Sequence, residues 1–147
     1  MTKNLLVQIA YRGTNYHGFQ FQTNALSITE VVQDKIEQVF GRREPIIGCS
    51  RTDAGVHANS CFFSMKTDIP FPTHKFPEVL NRILPKDIVV LSCEEVPLDF
   101  HARYCCKGKE YLYRIYNNPV KDPFLSDLAL HCKFPLDCAR MEENAKP

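Results

Sequence analysis

The sequence predicts an α+β fold built on a mainly antiparallel sheet. Three observations predict it: segments in which apolar residues alternate, two segments with apolar residues at helical spacing, and an order that places each helix between strands. The chain of 147 residues is 44% hydrophobic and 24% charged, which is ordinary for a globular protein. One domain-sized hydrophobic core is therefore expected.

The first strand is predicted where apolar side chains occupy every second position, at Leu5, Val7, Ile9 and Tyr11. An aromatic loop (residues 11–22) follows, with Gly13 and Gly18 on either side of Tyr16. Two interpretations are open for this loop. Either it exposes its aromatic and amide side chains, or it is a packed turn over the core.

A first helix is predicted over residues 28–40. Ser27 and Glu30 have the spacing of a capping box, and Gly41 is a typical residue at a helix end. A second helix is predicted from about Phe76, with Pro77 near its start and an apolar stripe that Pro85 ends. Each helix thus has its own boundary signals.

The remaining strands are predicted at residues 45–49, 61–66, 88–91 and 110–116. The order strand, helix, strand, strand, helix, strand is that of a ferredoxin-like α/β sandwich. The last segment, with Tyr111, Tyr113 and Ile115 on one face, is expected to add a strand to that sheet. A fold of this kind does not name a function.

The cysteines and the apolar segments bear on the cellular compartment. Seven cysteines without a Cys-x-x-Cys spacing predict free thiols in a reducing environment, and no disulfide framework or metal site. No apolar run approaches the roughly 20 residues that cross a bilayer, and the first residues lack a signal-peptide pattern. We therefore expect a cytoplasmic protein.

The net charge of +1 does not by itself indicate a nucleic-acid partner. Residues 101–114 are locally basic, with Glu110 as their one acidic residue and with Arg103, Lys107, Lys109 and Arg114 as basic residues. Aromatic residues lie between these charges. The pattern fits an RNA-binding surface, and it also fits a solvated edge strand protected by lysines.

Arg51 and Asp53 are an oppositely charged pair on a predicted turn between Gly48 and Gly55. An arginine nearby favours the ionised aspartate, so the pair can present a carboxylate nucleophile. The alternative is a surface salt bridge at a strand end. His57 is either an acid or base or a hydrogen-bonded loop residue.

The segment Arg51-Thr52-Asp53-Ala54-Gly55-Val56-His57-Ala58 closely resembles the central motif of the tRNA pseudouridine synthase A family. Four more segments match that family in the expected order: Tyr11-x-Gly13-x-x-Tyr16-x-Gly18-x-Gln20-x-Gln22, Leu84-Pro85-x-Asp87-Ile88, Phe100-His101-Ala102-Arg103, and Tyr111-x-Tyr113-x-Ile115-Tyr116-Asn117. The resemblance covers nearly all of the chain.

The resemblance implies an enzyme that isomerises uridine to pseudouridine in the anticodon stem-loop of tRNA, at positions 38–40, without a cofactor or metal. It implies that Asp53 is the nucleophile, which either attacks or deprotonates the sugar. Arg51 would hold the target nucleotide out of the stack, and Tyr111 would stack on the base. Arg103, Lys107, Lys109 and Arg114 become candidates for phosphate contacts.

The resemblance also implies a domain organisation and partners. Residues 1–120 would be an N-terminal ferredoxin-like catalytic half-domain, and residues 121–147 a connection to a second half that this chain lacks. Little turnover by the chain alone, and a homodimer when full length, are therefore expected. Arg12 and Phe19 depart from the family, which commonly has Asp and often Trp there.

Two other hypotheses stay open. The first is a catalytically silent RNA-binding module of the same fold. The second is a ferredoxin-like interaction domain in which Arg51 and Asp53 are structural.

Overall fold

The computed structural model describes residues 1–147, which form two compact units, residues 1–108 and residues 109–147. Each unit has its own sheet. The domain division predicted at residue 120 stays a prediction, because a compact packing unit and a family's domain need not end at the same residue.

The first unit contains a four-stranded antiparallel sheet. Its strands are β1 (Lys3–Tyr11), β2 (Ile46–Gly48), β3 (Ala58–Thr67) and β4 (Ile88–Val96). They lie in the order β2-β3-β1-β4, so that β1 and β3 are central. With one helix between β1 and β2 and another between β3 and β4, this is the predicted ferredoxin-like α+β topology.

The helices are α1 (Ile28–Phe40) and α2 (Phe76–Asn81). α1 has the predicted bounds, and the Ser27 side chain accepts a hydrogen bond from the Glu30 backbone N–H at 3.2 Å. Gly41 ends α1 in the left-handed conformation, with φ of 74°. Both boundary signals read from the sequence therefore have the expected structural role.

The hydrophobic core of the first unit lies between one face of the sheet and the two helices. The alternating residues of β1 are buried together with the apolar stripes of the helices, and the fully buried members include Leu5, Val7, Ile9, Ile28, Val32, Ile36, Phe63, Phe76 and Leu80. The alternation along β1 thus separates a core face from a second face, as the strand period requires.

The second face of the sheet is partly covered by the segment that follows β4. The Asn4 amide donates hydrogen bonds to the carbonyl oxygens of Pro97 and Phe100, both at 2.9 Å. The Ala102 N–H donates to the Ser64 hydroxyl at 3.2 Å, and Ala102 is buried. These bonds attach the Phe100-His101-Ala102-Arg103 motif to the sheet.

The prediction of a strand over residues 110–116 within the main sheet is wrong. Only β5 (Ile115–Asn117) is a strand, and it pairs in parallel with β6 (Leu130–Cys132) in a separate two-stranded sheet. Tyr111 and Tyr113 are 73% and 86% exposed. Alternation marks a face that can be buried, but a strand needs a paired edge and a covering layer, and these two side chains have no such layer.

The second unit also contains α3 (Cys138–Asn144), which the Asp137 side chain caps. All seven cysteines of the chain are free thiols, and the Sγ atoms of Cys49 and Cys61 are 4.0 Å apart. None of the helices has the length and apolar character that crossing a membrane requires.

Candidate active site

Asp53 lies in the loop that joins β2 to β3, which we call the Asp53 loop (residues 49–57). At the start of this loop, the Cys49 N–H donates to the Phe62 carbonyl at 2.7 Å and prolongs the pairing of the two strands. Further along, the Val56 N–H donates to the Asp53 carbonyl at 3.2 Å, and Gly55 has φ of 79°. Asp53 is therefore the first residue of a tight turn whose third residue has a positive φ.

Arg51 and Asp53 are both exposed. No ion pair within 4.0 Å joins the Arg51 guanidinium to the Asp53 carboxylate, and neither charged group pairs with another residue. The surface salt bridge that the sequence left as an alternative is therefore not formed. Both charges remain free to contact a ligand.

The aromatic loop packs against the Asp53 loop through main-chain hydrogen bonds. The Phe19 N–H donates to the Thr52 carbonyl at 3.2 Å, and the Gly55 N–H donates to the Tyr16 carbonyl at 3.0 Å. These bonds lie on either side of Asp53 in the sequence. The turn that carries Asp53 is thus held from two directions by one neighbouring loop.

Two glycines of the aromatic loop permit this close approach. A Cβ atom on Gly13 would collide with the Val56 carbonyl oxygen, and one on Gly18 would collide with the Thr52 carbonyl oxygen. Gly18 also has φ of 80°, which disfavours any side chain. The spacing of Gly13 and Gly18 in the sequence motif therefore reflects contact with the backbone of the Asp53 loop.

Most aromatic side chains of this loop are buried, which supports the packed-turn interpretation. Tyr11, Tyr16 and Phe19 are 4%, 5% and 4% exposed, and only Phe21 is half exposed. The rings of Tyr11 and Phe19 have centroids 6.4 Å apart. The three buried side chains therefore pack beneath the protein surface at the site and do not offer a stacking surface for a base.

Asp87 anchors the other side of the aromatic loop. The Tyr16 hydroxyl donates to Asp87 Oδ1 at 2.7 Å, and the Arg12 N–H donates to the Asp87 carbonyl at 2.9 Å. Burial, reinforced by the Asp87 carboxylate, raises the pKa of Tyr16 above its ordinary value, so the hydroxyl keeps the proton that it donates. Sequence reasoning matched the Leu84-Pro85-x-Asp87-Ile88 motif but assigned Asp87 no role.

Thr52 and His57 tie the Asp53 loop to the end of β1. The hydroxyl oxygens of Thr52 and Tyr11 are 2.8 Å apart and share a hydrogen bond. His57 Nδ1 accepts a hydrogen bond from the Gly13 N–H at 2.9 Å. Between the two interpretations of His57, this bond favours the hydrogen-bonded loop residue.

The other candidate residues lie elsewhere in the chain. Arg103 and Lys107 follow β4 in the first unit, whereas Lys109, Tyr111 and Arg114 belong to the second unit. All five are exposed, and the four basic ones form no ion pair. The structure thus brings Arg51 and Asp53 together in one loop and leaves the remaining candidates as an exposed, mainly basic segment.

Possible metal ligands are dispersed. No group of three or more His, Cys, Asp or Glu side chains is arranged to hold a metal ion.

Comparison with known proteins identifies the family. The family model described as tRNA pseudouridine synthase matches residues 8–105. A tRNA pseudouridine synthase A from Ruminiclostridium cellulolyticum is 42% identical over 143 residues, which are 97% of this chain and 58% of the relative. A tRNA pseudouridine synthase A 2 from Clostridium tetani is 42% identical over an alignment of 148 positions, which covers 99% of this chain and 60% of the relative.

A tRNA pseudouridine synthase A from Aquifex aeolicus is 42% identical over 122 residues, which are 83% of this chain and 51% of the relative. The chain therefore spans between half and three fifths of the length of these relatives. With the matched model covering the whole Asp53 loop, this chain belongs to the tRNA pseudouridine synthase family.

Proposed function

We propose that the protein is a tRNA pseudouridine synthase in which Asp53 is the nucleophile. The observation that carries this proposal is an exposed, unpaired carboxylate on a turn that a neighbouring loop holds by main-chain hydrogen bonds. A nucleophile needs a rigid backbone and a free functional group. Positioning lowers the activation barrier of the reaction only if the reacting atom stays in place.

The reaction is an isomerisation, so its atoms balance within one nucleotide. The bond from uracil N1 to the ribose breaks, the base turns, and a bond from C5 to the ribose forms; N1 gains a proton and C5 loses one. No oxidant or reductant is consumed. Asp53 either attacks the sugar carbon or removes a sugar proton, and both routes require an ionised carboxylate at the sugar.

Arg51 is proposed to hold the target nucleotide out of the RNA stack. It lies two residues from Asp53, it is exposed, and its guanidinium has no carboxylate partner in the chain. An arginine in that state can form charge-assisted hydrogen bonds with a phosphate. Asp53 then meets a uridine whose backbone is fixed next to it.

Tyr111 is proposed to stack on the uracil, and Arg103, Lys107, Lys109 and Arg114 to contact phosphates. Their exposure and lack of ion pairs support these roles, since each side chain is available to a polyanion. From the family, we further propose a tRNA substrate modified in its anticodon arm, a cytoplasmic location and a homodimer of the full-length protein.

The test compares the full-length protein with its Asp53→Ala variant on a tRNA transcript, and maps pseudouridine by chemical labelling. We expect the variant to form none while binding tRNA as before. Glu94→Ala is the matched control, because Glu94 is also an exposed carboxylate of the first unit. Equal modification by Asp53→Ala and by the unchanged protein would refute Asp53 as the nucleophile. No modification by either protein, with tRNA still bound, would favour the silent RNA-binding module.

Stability separates the proposal from the interaction-domain hypothesis. The Asp53 side chain has no partner, so we expect Asp53→Ala to leave the melting temperature unchanged or slightly higher. A clear decrease would indicate that the carboxylate is structural.

A further inference from the structure

Thr52 lies between the two candidate site residues and is held at two of its atoms. Its hydroxyl shares a 2.8 Å hydrogen bond with the Tyr11 hydroxyl, and its carbonyl oxygen accepts one from the Phe19 N–H. Thr52 is half-buried, whereas Arg51 and Asp53 on either side of it are exposed. The side chain that faces the protein therefore separates two that face solvent.

Tyr11 is a rigid anchor for this bond. It is the last residue of the central strand β1 and pairs with Ala58 of β3 on one side and with Ile88 of β4 on the other. Its side chain is 4% exposed. Burial raises the pKa of the Tyr11 hydroxyl, so that the group stays neutral and able to form the bond. The position of Thr52 is therefore tied to the centre of the sheet.

The Thr52 hydroxyl is directed to Tyr11, and this bond uses one of its hydrogen-bonding positions. A valine would occupy nearly the same volume as this threonine but could not make the bond. The hydroxyl is thus the feature of Thr52 that matters for the loop. Its bond is formed by side chains, independently of the main-chain bonds that hold the same turn.

We propose that Thr52 is a positioning residue for the isomerisation. Through its hydrogen bond with Tyr11, it keeps the side chains of Asp53 and Arg51 directed to solvent on the same turn. Neither Thr52 nor Tyr11 touches the RNA. This inference rests on the proposed function of Asp53. It predicts that removing the bond lowers the rate of the bound complex and leaves the affinity for tRNA as it was.

The kinetic test uses the full-length protein with Thr52→Val, Tyr11→Phe and the double variant. We expect each single variant to lower kcat by about ten- to a hundredfold, the order of loss that a small misplacement of a reacting group causes, with KM nearly unchanged. The double variant should be no slower than the single variants, because each single substitution already removes the same hydrogen bond between Tyr11 and Thr52. Thr52→Ser, which keeps the hydroxyl, should restore most of the rate.

Two kinetic results would overturn the inference. If Tyr11→Phe keeps full kcat while Thr52→Val loses it, the threonine hydroxyl acts on the substrate and not through Tyr11. If the variants change KM and not kcat, the bond serves binding.

A second measurement needs no turnover. Hydrogen–deuterium exchange of the backbone amides in residues 50–57 should become faster in Tyr11→Phe, with little change in α1. Tyr104→Phe, which alters an exposed tyrosine of the same unit, is the control and should leave this exchange unchanged. Equal exchange in the unchanged protein and in Tyr11→Phe would overturn the inference.

The two measurements also separate this inference from the proposed function. Full activity of Asp53→Ala would refute the nucleophile, and with it the catalytic role of Thr52. The exchange rates would still show whether the Tyr11 bond holds the loop.

Discussion

The Asp53 loop and the basic segment (residues 103–114) both carry candidate site residues, but the structure holds them in different ways. The Asp53 loop is tied by hydrogen bonds to Tyr11, Gly13, Tyr16 and Phe19 of the aromatic loop. The basic segment contains no helix or strand, and its four basic side chains are exposed without an ion pair.

This difference suggests that the first region determines the position of the candidate nucleophile and the second determines the affinity for RNA. The proposed nucleophile, Asp53, needs a fixed position, and the hydrogen bonds that hold its loop lie within residues 1–108. Contacts with phosphates depend on charge more than on exact placement, so exposed basic side chains suffice for them. Substitutions in the first region should therefore change stability or rate, and those of the basic side chains in the second should change RNA binding alone.

Gly13→Ala should have the largest effect on folding. The added methyl group would collide with the Val56 backbone, so the two loops would have to separate or shift, at a cost of about 3 kcal/mol in unfolding free energy. Urea denaturation measures the loss. Gly108→Ala is the control from the basic segment, since a Cβ there meets nothing within 4 Å. Equal midpoints for the two variants would contradict the close packing of the loops.

Tyr111→Ala should weaken the stabilisation of the bound uridine during catalysis by about 1–3 kcal/mol of free energy, the range measured for stacking of one base on an aromatic ring. The rate on tRNA should fall accordingly. Because Tyr111 is 73% exposed, the melting temperature should not change. Tyr111→Phe keeps the ring and should keep the activity. Single-turnover assays with the full-length protein would measure both variants, and a loss in Tyr111→Phe would assign the role to the hydroxyl.

Tyr16→Phe should lower the unfolding free energy by about 1–2 kcal/mol, because it leaves the Asp87 carboxylate without its 2.7 Å donor. Tyr104→Phe is the matched change at a tyrosine that is 80% exposed, and it should have no measurable effect. Thermal unfolding followed by circular dichroism compares them. Equal melting temperatures would mean that Asp87 does not anchor the aromatic loop.

Single substitutions in the basic segment should have the smallest effects. Arg103→Ala or Lys107→Ala should weaken tRNA binding slightly and lower the slope of log K against log salt by about 0.7–0.9 each, if each residue neutralises one phosphate. The melting temperature should stay the same. Lys75→Ala, which removes an exposed lysine paired with Glu78 beside α2, is the control. If the salt slopes of Arg103→Ala and Lys107→Ala are as unchanged as that of the control, the basic segment is not part of the RNA-binding surface.

Local signals in the chain were sufficient for much of the fold. α1 begins and ends where the Ser27 cap and Gly41 indicate, and β1 alternates as its residues predict. These features are determined within a few residues, by hydrogen bonds at a helix end and by the two-residue period of a strand. The turn predicted between Gly48 and Gly55 likewise placed Arg51 and Asp53 on a loop between strands.

Long-range packing decided what such signals leave open. The same alternation that predicts β1 also predicted a strand over residues 110–116, where Tyr111 and Tyr113 are exposed and unpaired. The role of Gly13 became apparent only when the backbone of Val56 lay against it. The identity of a residue determines which contacts it can make. The partners of Gly13 and Tyr11, however, are Val56 and Thr52, dozens of residues away along the chain, and only the folded sheet brings them together.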